Sequence, residues 1–84
     1  MTVVTLIGKT GCHLCDEARA VVATVLAEFG PASVVFEERS ILDEPALYDR
    51  YAEEIPVLLI DGAVHNIWRV EADRLRAALK EAVT

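Results

Sequence analysis

Residues 4–18 read VTLIGKTGCHLCDEA, and this stretch decides the fold. It joins a short apolar run of β-forming residues, through a glycine-containing loop, to the start of an amphipathic helix. Cys12 and Cys15 are the only 2 cysteines among the 84 residues. Two thiols at this spacing on the first turn of a helix can close an intramolecular disulfide. The pattern therefore predicts a thiol–disulfide redox site rather than a structural crosslink.

Outward from this segment, the apolar spacing predicts alternating strands and helices along a single domain, residues 1–84. The predicted strands cover Val3–Ile7, Val34–Glu38, Val57–Ile60 and Val64–Ile67, and the predicted helices cover Cys12–Phe29 (ended by Gly30-Pro31), a short segment from Asp43, and Glu71–Val83. A right-handed crossover should pair the first two strands in parallel, and Asp61-Gly62 should close a hairpin. The order β-α-β-α-β-β-α predicts an α/β fold with a mixed four-stranded sheet and helices on both faces.

The composition and charge of the chain exclude some kinds of binding partner. Hydrophobic residues make up 54% of the chain, as in globular proteins, and the net charge is −6. Nucleic-acid binding needs clustered positive charge, so we expect no nucleic-acid partner. We see neither an apolar run of the roughly 18–20 residues that span a bilayer nor a signal-peptide pattern. We therefore expect a cytoplasmic protein with no membrane association, and a monomer.

The two cysteines are predicted to differ in role. Cys12 would sit at the helix N-terminus, where free N–H groups and the helix dipole favour a thiolate, so it should be the attacking thiol. Cys15 lies one turn deeper and should be the resolving thiol. Lys9 and a protonated His13 could add positive charge, or could be ordinary solvated residues.

Metal binding is the alternative use of the same thiols. Cys12 and Cys15 could be half of a zinc site completed by His13 or His65. Zinc usually takes four ligands in two pairs, and the chain has no second C-x-x-C or H-x-x-H. We therefore expect no metal site.

Residues 4–18, together with Ile55-Pro56-Val57-Leu58-Leu59-Ile60-Asp61-Gly62, resemble the active-site and cis-proline segments of glutaredoxin-like proteins in the thioredoxin superfamily. The resemblance covers essentially the whole chain in the same element order. It implies a nucleophilic Cys12, a resolving Cys15, and a cis Pro56 beside the dithiol. It also implies that the backbone of Ile55 pairs with the substrate segment, as in β-strand addition. Lys9 matches the basic residue that often precedes the motif.

Two positions depart from the glutaredoxin pattern. His13 replaces the usual proline after the first cysteine. The segment Asn66-Ile67-Trp68-Arg69 replaces a Gly-Gly pair that lets glutathione approach the backbone, although Asp73 matches the acidic group that follows. We therefore expect weak glutathione binding.

The sequence as a whole predicts a small dithiol oxidoreductase that reduces protein or mixed disulfides. It would bind no cofactor and would take electrons from glutathione or a flavoprotein reductase, so its partners would be disulfide-bearing proteins and a reductase. Two alternatives from other classes use the same cysteines. One is a metal or iron–sulfur carrier, and the other is a redox-sensing module without enzymatic activity.

Overall fold

A computed structural model describes residues 2–30 and 32–83, so Pro31, which was predicted to help end the first helix, lies outside the described residues. The elements in chain order are β1 (Thr2–Gly8), α1 (His13–Leu26), β2 (Val34–Ser40), α2 (Pro45–Tyr51), β3 (Val57–Ile60), β4 (Ala63–Ile67) and α3 (Ala72–Ala82). The predicted order β-α-β-α-β-β-α is confirmed.

The four strands form one mixed sheet in the order β2-β1-β3-β4. β1 pairs with β2 in parallel and with β3 antiparallel, and β4 completes an antiparallel hairpin with β3. Asp61 and Gly62 have φ values of 50° and 84°, the positive values that a two-residue type I′ hairpin turn requires. The Val3 N–H donates to Asp61 Oδ1 at 2.8 Å, and the Asp61 N–H donates to the Val3 carbonyl at 2.8 Å. The turn is therefore fastened to β1.

Helices cover both faces of the sheet, as predicted. Side chains alternate along β1, so Val4 and Leu6 point to one face and Ile7 to the other. On the first face, buried residues of α1 and α3 pack against the sheet: Ala18, Val22, Val25, Leu75 and Leu79. On the second face, Ile7 packs with Tyr51 of α2 and with Ile41 and Val57. None of the helices within residues 2–30 and 32–83 has the length and apolar character needed to cross a membrane.

The first helix is shorter than predicted. It ends at Leu26 rather than Phe29, because the last turns tighten. The N–H groups of Glu28 and Phe29 donate to carbonyls three residues earlier, both at 3.0 Å, so the residues after Leu26 form turns. Phe29 still packs against the core, which is why its apolar spacing matched that of the helix.

Leu75→Ala should destabilise the protein strongly. Leu75 is 0% exposed and packs in the cluster beneath α1 and α3, so truncation leaves a cavity. We expect a loss of about 2–5 kcal/mol in the free energy of unfolding, measured by urea denaturation. Leu42→Ala is the matched control, because Leu42 is 62% exposed and should change stability little. Equal losses in the two variants would contradict this description of the core.

Candidate active site

Cys12 caps the N-terminus of α1. Its backbone is extended, with φ −95° and ψ 115°, and the helix begins at the next residue. The Cys15 backbone N–H donates to Cys12 Sγ at 3.3 Å, so the sulfur occupies the place that a capping oxygen takes in other helices. Free N–H groups and the dipole at a helix N-terminus favour negative charge. The Cys12 thiol is half-buried in this position, so part of it remains open to solvent.

Cys15 lies one turn further along α1 and is completely buried. Burial, together with a hydrogen bond to Cys12, raises the pKa of the Cys15 thiol to about 11. The backbone of Lys9 opposes this shift through a hydrogen bond to the sulfur, as does the positive charge of Arg19. Cys15 is therefore a neutral thiol near pH 7. The motif combines one reachable sulfur with one protected sulfur, and both are unlinked in this structure.

Gly8 makes room for Cys15. A Cβ atom at Gly8 would lie 2.8 Å from Cys15 Sγ, closer than real side chains approach, and 3.2 Å from the Cys15 Cβ, which is a tight contact. The end of β1 and the first turn of α1 therefore touch at a position that only glycine allows. Sequence reasoning took Gly8 only as the end of a strand, and its place four residues before Cys12 was the one available signal.

The two residues predicted to support Cys12 both lie at the surface. The Lys9 side chain is exposed, and its described link to the dithiol is the backbone hydrogen bond to Cys15. The His13 side chain is 88% exposed, and its Nε2 lies 3.7 Å from Glu17 Oε1, one helical turn along α1. When protonated, His13 therefore has a carboxylate partner of its own.

The peptide bond between Ile55 and Pro56 is cis. Pro56 is buried, and Ile55 is half-buried against the cluster on the α2 face. In the antiparallel register Val57 stands opposite Ile7, so Pro56 lies at the same end of the sheet as Gly8. The loop from Gly8 leads directly to Cys12. The fold thus brings the proline segment and the loop that leads to the dithiol to the same end of the sheet.

Trp68 follows the hairpin, in the segment predicted to replace the Gly-Gly pair of glutaredoxins. Its backbone has φ 67°, a left-handed value that bulky residues rarely adopt, and its side chain is 53% exposed. The Trp68 N–H donates to the Pro56 carbonyl at 2.7 Å, and the indole Nε1 donates to the Glu53 carbonyl at 3.4 Å. Trp68 and Leu14 line a groove of about 350 Å³ between α1 and the segment before α3.

A second cavity, which is polar and has a volume of about 260 Å³, adjoins Cys15. Its lining includes Cys15, Lys9, Arg19 and Glu38. Arg19 is held by two carboxylates, because its Nη1 donates to Asp16 Oδ1 at 2.8 Å and its Nε donates to Glu38. Arg19 thus stands as a fixed positive charge beside the protected thiol, a role that no sequence pattern indicated.

The residues considered as metal ligands do not converge. Among residues 2–30 and 32–83, no group of three His, Cys, Asp or Glu side chains is placed to hold a metal ion. His65 lies in β4, where burial and the charge of Arg74 lower its pKa. The described donor set therefore does not complete the zinc site weighed above.

Comparison with known proteins agrees with this geometry. The family model of the glutaredoxin-like domain (DUF836) matches residues 3–80. An uncharacterized protein of Mycobacterium tuberculosis (strain ATCC 25618 / H37Rv) is 29% identical over 76 residues, which cover 88% of this chain and 78% of that protein. The relative's name states no activity, so this match supports common ancestry alone.

Solved structures share the fold. The X-ray structure of a Northeast Structural Genomics target protein from X. campestris is 34% identical, with a TM-score of 0.74 over 93% of this chain and 96% of that one. Thioredoxin-2 of the malaria parasite is 14% identical, with a TM-score of 0.72 over 96% of this chain and 82% of its own, and shows the fold alone. With the dithiol and the late hairpin both inside the matched region, the chain belongs to the glutaredoxin-like domain (DUF836) family.

Proposed function

We propose that this protein is a dithiol oxidoreductase that reduces disulfides in proteins and mixed disulfides. The observation that carries the proposal is the difference between the two sulfurs. Cys12 Sγ caps a helix and is reachable, whereas Cys15 is buried with its pKa raised to about 11. A reducing site needs this asymmetry, because one thiol must attack while the other waits as a neutral thiol.

The proposed reaction has two exchanges. The Cys12 thiolate attacks one sulfur of the substrate disulfide, a bond from Cys12 to that sulfur forms, and the other substrate sulfur leaves as a thiolate that takes up a proton. Cys15 then gives up its proton and attacks Cys12 Sγ. The Cys12–Cys15 disulfide forms, and the second substrate sulfur leaves as a thiolate and is protonated. Two electrons pass from the protein to the substrate.

Because the pKa of Cys15 is raised, loss of its proton is unfavourable near pH 7. Its proton must leave a completely buried thiol during the second exchange. The polar cavity with Arg19 and Glu38 adjoins this thiol, and the charge of Arg19 favours the Cys15 thiolate. We propose that this side of Cys15 assists deprotonation, while substrate occupies the side of Cys12. Ile55 and Pro56 lie at the same end of the sheet, and we propose that their backbone pairs with the substrate segment.

The residues that follow the hairpin indicate which electron donor suits this protein. Trp68 occupies the place where a Gly-Gly pair would let glutathione approach the backbone, so a flavoprotein reductase or a protein dithiol suits this chain better as donor. The proposed cycle needs a compartment that keeps thiols reduced, and we propose the cytoplasm. A coupled assay with thioredoxin reductase, run beside one with glutathione and glutathione reductase, tests this choice.

Cys15→Ser should trap a mixed disulfide with a substrate protein, because Cys12 can still attack and nothing resolves the bond. Cys12→Ser should trap none under the same conditions. Non-reducing electrophoresis and intact mass measure the adducts, and Cys12→Ser/Cys15→Ser is the control for non-specific capture. Trapping by Cys12→Ser instead would reverse the assignment, and trapping by neither single variant would remove the proposed activity.

The reactivity of Cys15 should rise with pH across the neutral range. Because the folded protein holds the pKa of Cys15 at about 11, its thiolate fraction grows about tenfold per pH unit below that value. In the Cys12→Ser variant, which keeps the burial that is the main cause, iodoacetamide alkylation should rise without a plateau from about pH 7 to about pH 10. A rate that is half-maximal near pH 8.5, the ordinary cysteine value, and levels off about one pH unit above it would contradict this environment.

Gly8→Ala should lower both stability and the rate of disulfide closure. The new Cβ would stand 2.8 Å from Cys15 Sγ, so the thiol must move away from its packed position. We expect a loss of about 1–3 kcal/mol in the free energy of unfolding and slower release of product from the mixed disulfide. Gly30→Ala is the matched control, since a Cβ at Gly30 meets nothing within 4 Å. Equal behaviour of the two variants would show that the close contact is not needed.

A further inference from the structure

We infer that the groove between α1 and the segment 68–70 receives a bulky apolar side chain that neighbours the reactive cysteine of a protein substrate. This deepens the proposed oxidoreductase function and rests on it. The substrate class it names is a polypeptide disulfide with an aromatic or large aliphatic residue beside the cysteine. Glutathione, which has no such side chain, would be a poor occupant.

The groove begins on the turn of α1 that carries the dithiol, because Leu14 is part of its lining. Leu14 stands between the two cysteines in the motif, on the turn of α1 that Cys12 caps, and it is 36% exposed. Although it is apolar and lies on an amphipathic helix, its side chain lines the groove and is not buried in the core. Most of the lining is apolar, and the full set is Leu14, Glu17, Ala18, Ala20, Val21, Trp68, Arg69 and Val70. A substrate bound through Cys12 would therefore extend its neighbouring residue onto an apolar surface.

Trp68 forms part of the lining of this groove. A tryptophan with φ 67° occupies backbone geometry that suits glycine, and more than half of its side chain remains exposed. Two hydrogen bonds hold it there, from its N–H to Pro56 and from its indole to Glu53. An exposed indole adds little to the core. A strained backbone that presents an aromatic face beside a reactive thiol is typical of a binding site.

The size and charge of the groove select the occupant. At about 350 Å³ it is at the small end for ligand sites, which suits one large side chain rather than a whole cofactor. Its rim carries one acid, Glu17, and one base, Arg69, so it offers no net charge to the two carboxylates of glutathione. An apolar wall next to balanced charges favours a peptide segment with an uncharged, bulky residue.

Two synthetic peptide disulfides test the inference. They are identical except that phenylalanine or serine neighbours the cysteine, and the kcat/KM ratio between them is measured for each protein. Wild type should prefer the phenylalanine peptide by about tenfold or more, as a filled apolar pocket does. Trp68→Gly should bring the ratio close to one. Glycine suits φ 67°, so this variant removes the indole without straining the chain. Leu42→Ser, at an apolar position 62% exposed elsewhere on the surface, should keep the wild-type ratio.

Emission from Trp68 gives an independent measurement, because it is the only tryptophan in the chain. The Cys15→Ser protein is joined chemically to each peptide through Cys12. A blue shift with the phenylalanine peptide but not with the serine peptide supports docking in the groove. Equal kcat/KM values for the two peptides would overturn the inference and leave the proposed function standing. If wild type reduced neither peptide, the proposed function would fail, and the emission of the joined proteins would still decide whether the groove is used.

Discussion

The contact between Gly8 and Cys15 is the constraint on which the site depends. It joins the end of the central strand to the first turn of α1, with a clearance that a single Cβ would close to 2.8 Å. Because β1 pairs on both sides, with β2 and with β3, its end is fixed in position. That rigidity is passed to α1. The buried thiol and the capping thiol are held at their separate depths by the same junction.

The apolar clusters on the two faces of the sheet position different parts of the site. The larger apolar cluster holds α1 and α3 against β1, which orients the helix whose N-terminus carries Cys12. The smaller cluster under α2 holds Ile55 and Val57, and so positions the start of β3. One cluster thus positions the proposed nucleophile, and the other positions the proline segment that is proposed to bind substrate. A change in either core should alter the site through packing alone, without touching a cysteine.

Sequence patterns predicted the structural features that depend on the spacing of neighbouring residues. The element order, the mixed sheet, the Asp-Gly hairpin and the different depths of Cys12 and Cys15 all follow from residues close together in sequence. The unpredicted features join distant residues or need exact backbone angles. The clearance at Gly8, the pairing of Arg19 with Glu38, and the φ of Trp68 have no periodic signature. Leu14 fits the helical stripe but is not covered by another element, so its exposure depends on the position of the segment before α3.

The order of strands has a consequence for how the protein acquires its chemistry. β1 pairs with β3 across roughly fifty residues of intervening chain, so closing that loop is entropically costly. Folding that depends on such distant pairings is slow compared with helix formation. Before the sheet assembles, Cys12 and Cys15 are two thiols in an open chain, with nothing to bury one more than the other. Their separation into a half-buried and a completely buried sulfur is thus a property of the finished tertiary structure, and a newly made chain does not yet have it.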